Sequence, residues 1–68
     1  MKENMLTYTL SQTCEVLNIS MPTALNLAHQ QGFPAFKVGR KWLVSVEGLN
    51  LWLAEQCDAY NEERRLIS

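Results

Sequence analysis

Two closely spaced helix starts, followed at once by a short basic hairpin, limit what residues 9–45 can become. Thr9-Leu10-Ser11-Gln12 has the Thr-x-x-Gln form of a capping box, in which the hydroxyl and the amide side chain satisfy each other's backbone N–H. Ser20-Met21-Pro22 is a second start: serine caps, and proline sits in a first turn where a missing N–H costs nothing. Between them the first helix is expected over residues 10–17, with Asn18 in the left-handed turn and Ile19 as a plug between the helices. The second helix is expected to run from Ser20 to a stop at Gly32, with Ala24, Leu27 and Ala28 inward.

Phe36-Lys37-Val38-Gly39-Arg40-Lys41-Trp42 then reads as strand, tight turn and strand, Gly39-Arg40 fitting a two-residue type II′ turn. Phe36, Val38, Trp42 and Val44 are expected on the inner face, with Lys37 and Lys41 outward. Ser45 caps a third helix over residues 46–63, whose Leu49, Trp52, Leu53, Gln56, Cys57 and Tyr60 form one apolar seam. Glu47 in its first turn and Arg64-Arg65 near its end suit the helix dipole. Residues 1–7 are expected to be a loose lead-in, with Leu6 or Tyr8 docking on the core, and residues 64–68 a tail. The fold class is α+β, mostly α, in a single domain over residues 1–68.

The first inward helical set is Leu10, Thr13 or Cys14, and Leu17. Trp42 and Trp52 both fall on inward parity, and a 68-residue core needs large side chains. Cys14 and Cys57 lack the spacing and the companions of a zinc site and read as buried free thiols. An apolar content of 47% with 19% charged residues argues against disorder, and no apolar run approaches the roughly 20 residues of a membrane helix. A cytoplasmic protein is expected, with no cofactor, no metal and no small-molecule ligand.

Net charge is −1, which counts against a nucleic-acid binder, but the charges are segregated. Three of six basic residues (Lys37, Arg40, Lys41) fall within five positions, while five of seven acidic residues fall from Glu47 onward. The expected molecule has a positive hairpin and a negative last helix.

With these residues in place, the chain resembles the small winged helix-turn-helix domains of excisionases and MerR-like regulators. The resemblance spans about residues 8–54. It rests on Tyr8-Thr9-Leu10-Ser11-Gln12, on Leu17-Asn18-Ile19-Ser20, and on Gly32-Phe33-Pro34-Ala35-Phe36-Lys37-Val38-Gly39-Arg40-Lys41-Trp42, the most specific part. Ser45-Val46-Glu47-Gly48-Leu49 and Trp52-Leu53 complete it. It implies that the second helix enters the major groove of double-stranded DNA while the wing touches adjacent backbone or minor groove. It also implies a recombination directionality factor or small transcriptional regulator of a mobile element, working with an integrase and as paired or tandem copies. Such families usually carry basic residues near the start and middle of the second helix, where this chain has Met21 and Asn26, and often a polar residue at Leu43.

The expected DNA-binding set is Ser20, Thr23, Asn26, His29 and Gln30 from the second helix, and Lys37, Arg40 and Lys41 from the wing. Asparagine can bond adenine bidentately, threonine can meet a thymine methyl or a phosphate, and Ser20 with Thr23 sits where helix amides assist phosphate binding. No nucleophile or carboxylate stands at a spacing that would make His29 a general base, so no enzyme is expected. Leu51, with Tyr60 and Leu66-Ile67, suggests a contact surface for a second copy or an integrase-type partner. The competing reading, favoured by the acidic balance and the arginine-free second helix, is a protein interaction module that keeps the winged fold but binds DNA weakly.

Overall fold

Thr9 starts the first helix in the way its sequence dictates. In the computed structural model, which describes residues 5–67 with side-chain surroundings as far as Glu63, Thr9 Oγ1 accepts from the Gln12 amide at 3.1 Å. Gln12 Oε1 accepts in return from the Thr9 amide at 2.9 Å. This box starts α1 (Leu10–Leu17). Asn18, at φ 58° and ψ 50°, ends it: the Ile19 amide donates to the Cys14 carbonyl at 2.9 Å and the Asn18 amide to Glu15, a Schellman closure. Ser20 then caps α2 (Met21–Ala28), so the turn between the helices is three residues long, Asn18, Ile19 and Ser20.

The α1–α2 crossing is lined by small residues. Thr13 is fully buried at 0% exposure, with its hydroxyl donating to the Thr9 carbonyl at 2.9 Å. Ala24 and Ala28 are the buried residues of α2. Thr13, not Cys14, takes the buried place. A buried hydroxyl is tolerated here because the carbonyl one turn back accepts its proton. Cys14 is half-buried with its sulfur 4.0 Å from Met21 Sδ, and Cys57 is exposed, so the expectation of two buried thiols is corrected.

α2 stops at Ala28, four residues before Gly32. His29 (φ −88°, ψ −7°) closes it, and the chain then turns through a bond from the Phe33 amide to the Gln30 carbonyl with Gly32 at φ 95°. That positive φ at the third residue is the glycine requirement of a type II turn. In sequence it looks the same as a helix stop, hence the overlong expectation.

Three strands make one antiparallel sheet: β1 (Thr7–Thr9), β2 (Ala35–Val38) and β3 (Lys41–Ser45), in the order β1-β3-β2. The lead-in expected over residues 1–7 is therefore cut short: Thr7 pairs with Ser45, Tyr8 with Val44 and Thr9 with Leu43. Three residues are too few to show an alternating pattern. Residues 1–4 of that lead-in lie outside the described residues.

The hairpin register corrects the expected wing faces. Lys37 pairs with Trp42 and Val38 with Lys41 across the Gly39-Arg40 turn. Side chains directly opposite share a face. Even-numbered positions of β2 therefore lie with odd-numbered positions of β3. Trp42 and Val44 share the inner face with Ala35, Lys37 and, through β1, Tyr8. Phe36 and Val38 share the other face with Leu43 and Lys41. Gly39 at φ 64°, followed by Arg40 at negative φ, is the expected type II′ geometry.

Phe33, Val44 and Leu49 form the centre of the core, with Tyr8, Leu10, Leu17, Leu27, Ala35 and Trp52 packed around it. Phe33 and Trp52 meet edge to face, centroids 4.8 Å apart. Ser45 Oγ accepts from the Gly48 amide at 3.0 Å and caps α3 (Val46–Ile67). The helix thus continues past the expected end at 63. Its apolar seam is buried only at Leu49 and half-buried at Trp52, while Leu53, Gln56, Cys57 and Tyr60 are exposed. Periodicity marks a face but not its partner, and this helix outruns a small body. Arg64, Arg65, Leu66 and Ile67, to which the sequence assigned dipole and contact roles, lie outside the described side chains.

Candidate nucleic-acid interface

α2 presents Pro22, Thr23 and Asn26 to solvent, with Met21 and Leu25 exposed at the margin. None of its eight residues is charged. Ser20 Oγ and Thr23 Oγ1 lie 3.0 Å apart at its start, and the Thr23 amide donates to Ser20 Oγ at 3.4 Å. The two hydroxyls are held beside each other at the positive end of the helix, a geometry suited to an anion. Asn26 stands mid-helix and exposed, where a carboxamide can reach a base edge.

His29 and Gln30 do not share that face as helical residues, because α2 has ended. His29 Nδ1 sits 2.8 Å from the Leu25 carbonyl. A carbonyl only accepts, so Nδ1 carries the proton there and Nε2 is the ring nitrogen left for a ligand. The imidazole also meets Trp42 edge-on, centroids 5.4 Å apart at 71°. Gln30 is exposed in the turn beyond.

The wing cations point three ways. Lys37 lies on the Trp42 side of the hairpin, its Nζ 5.4 Å from the indole centroid, a cation–π contact. Lys41 belongs to the opposite face, and Arg40 is exposed in the turn between them. The expectation that Lys37 and Lys41 project together outward is corrected by the register. A hairpin with one cation on each face and one at its tip can touch phosphates on both sides of a groove. Residues 16–46 contain no Asp or Glu, so no carboxylate in α2, its turns or the wing opposes these charges.

Trp42 is the residue that sequence reasoning missed here, having assigned it to the core. It is half-buried and joins the end of α2, through His29, to the wing, through Lys37. The signal was available: a two-residue turn at Gly39-Arg40 necessarily places Lys37 across from Trp42.

Among the described residues, no cluster of His, Cys, Asp or Glu could hold a metal ion, and no helix is long and apolar enough to cross a membrane. A family model described as a helix-turn-helix domain matches residues 7–57, which include both short helices, the whole sheet and the first half of α3. No curated protein and no solved structure matches the chain.

Proposed function

The chain belongs to the helix-turn-helix domain family, whose role is DNA binding, and from that premise we propose a sequence-specific accessory protein of the excisionase type or a small transcriptional regulator. The observation that carries this reading is the coupling of an exposed, carboxylate-free α2 to a basic wing through Trp42. α2 lies in the major groove with Asn26 and Thr23 toward base edges, and Ser20 with Thr23 near a phosphate. Arg40 leads the wing contacts, flanked by Lys37 and Lys41; His29 and Gln30 border the groove. With about three phosphate contacts the salt slope of binding is only about −2 to −3, so one copy binds weakly. Useful affinity then comes from a second copy on DNA or from a recombinase-type partner. The role is architectural or repressive, with no catalytic step.

An amide-shift NMR titration with a mixed-sequence duplex at low salt tests this. Shifts over residues 20–30 and 37–41 that fade with salt support the reading. Shifts confined to α3 would favour the second reading, a protein interaction module. That alternative draws on α3 itself, where Leu51 and Leu53 are exposed and five carboxylates fall between Glu47 and Glu63 without a Lys or Arg.

A further inference from the structure

The face of the wing turned away from the core is apolar. Phe36 and Val38, 44% and 57% exposed, lie there with Leu43 and Lys41. The inner face already has its apolar set in Val44, Tyr8, Ala35 and Trp42, so Phe36 and Val38 add little to the core. An exposed apolar strand face invites association, and natural proteins usually avoid one without a use. Here Val38 immediately precedes the Gly39-Arg40 turn, and Lys41 is its cross-strand partner. The acidic residues of the second half of the chain begin only at Glu47, on another element.

An apolar patch with Lys41 on its face and Arg40 in the turn at its end calls for a partner that offers anionic and apolar surface together. A DNA duplex does so: phosphates line its grooves, and the faces of its base pairs become apolar surface once a step is opened. The minor groove is about 6 Å wide, too narrow for a two-stranded ribbon unless it is widened. It is about 7.5 Å deep, so a hairpin entering by its Gly39-Arg40 turn brings Val38, one residue behind the turn, inside the groove and leaves Phe36, about 7 Å further back, at the rim. We propose that Val38, backed by Phe36, is an apolar wedge that enters the minor groove and opens a base step, kinking the DNA bound by this protein. The proposal rests on the DNA-binding reading above and adds to it a deformation of the site.

The test is to relax a closed circular plasmid with a topoisomerase in the presence of the full chain, then read the topoisomers after removing protein. Binding is followed in parallel by fluorescence anisotropy. Wild type is expected to shift the linking number. The double substitution Phe36→Thr with Val38→Thr, which keeps strand propensity, should lose the shift while retaining the salt slope, because the phosphate contacts remain. Val38→Phe should enlarge the shift, and Val38→Thr alone serves if thermal unfolding shows the double variant unfolded. Wild type that binds without a shift overturns the wedge but not the DNA reading, as does a folded Thr variant that keeps the full shift. Sedimentation showing a dimer that Phe36→Thr dissolves, with linking number unaffected, would assign the face to self-association and overturn the proposal. No binding by wild type at low salt removes the DNA reading and the wedge with it.

Discussion

Lys37 lies over the indole of Trp42, its directly paired neighbour across the hairpin, with Nζ 5.4 Å from the ring centroid. His29 packs edge-on against the same indole. One half-buried ring therefore sets the position of a wing cation and of the residue that closes α2. The two parts of the candidate interface are held in one geometry before any DNA arrives, which lowers the ordering cost of binding.

Replacing that ring should separate packing from charge. Trp42→Leu keeps an apolar side chain in β3 but removes the surface on which His29 and Lys37 rest. Stability is expected to fall by about 2 kcal/mol, the scale of truncating a half-buried aromatic. DNA affinity should fall while the salt slope stays near wild type, because Lys37 keeps its charge. Thermal unfolding and binding isotherms at several salt concentrations check both. A variant that binds like wild type would show that the ring organises nothing at the interface.

Arg40→Ala combined with Lys41→Ala should weaken binding to every duplex alike. Each lost phosphate contact removes about 0.9 from the magnitude of the log–log salt slope, so the pair should flatten it by about 2. Stability should change little, since both side chains are exposed. An unchanged slope would exclude both residues from phosphate contact.

Asn26→Ala should do something different. A bidentate asparagine–adenine pair accounts for about 1–3 kcal/mol of discrimination at one base pair. Its loss is expected to relax preference at one position of a selected site while leaving the salt slope alone. A binding-site selection with both proteins reads this directly; identical preferences at every position would remove Asn26 from base readout.

Much of this architecture was legible because caps and turns are local chemistry. Thr9 with Gln12, Asn18, Ser20 with Pro22, and Ser45 each declare an element boundary through hydrogen bonds or backbone angles within a few residues. What was not legible depended on the rest of the molecule. β1 is too short to carry a pattern and exists only because β3 offers an edge to pair with. Gly32 serves a type II turn instead of the end of α2, and a positive φ is all that either role demands. The faces of Phe36 and Val38 followed from the turn length, which the within-strand alternation alone did not use. For the candidate site, residue types and spacing marked Asn26, Thr23 and the wing cations. The anchoring of His29 and Lys37 on Trp42 needed the fold.

Gly48 offers a test of how tightly α3 is seated on the hairpin. It lies in the first turn of α3, where alanine would ordinarily improve helix propensity by about 1 kcal/mol. A Cβ built there falls 2.7 Å from Pro34 Cβ, and 3.2 and 3.3 Å from the Oγ and Cβ of Ser45. Pro34 cannot yield easily: its ring is rigid, and its carbonyl accepts from the Ser45 amide at 2.9 Å. Relief therefore requires α3 to lift, drawing Leu49 and Trp52 off Phe33 and Val44. Overpacking of this kind costs about 1–3 kcal/mol, enough to outweigh the propensity gain. Gly48→Ala is expected to lower the unfolding midpoint, and Gly48→Val to lower it further because a larger side chain meets the same wall. A midpoint equal to or above wild type in Gly48→Ala would mean that the junction between Pro34 and α3 relaxes freely.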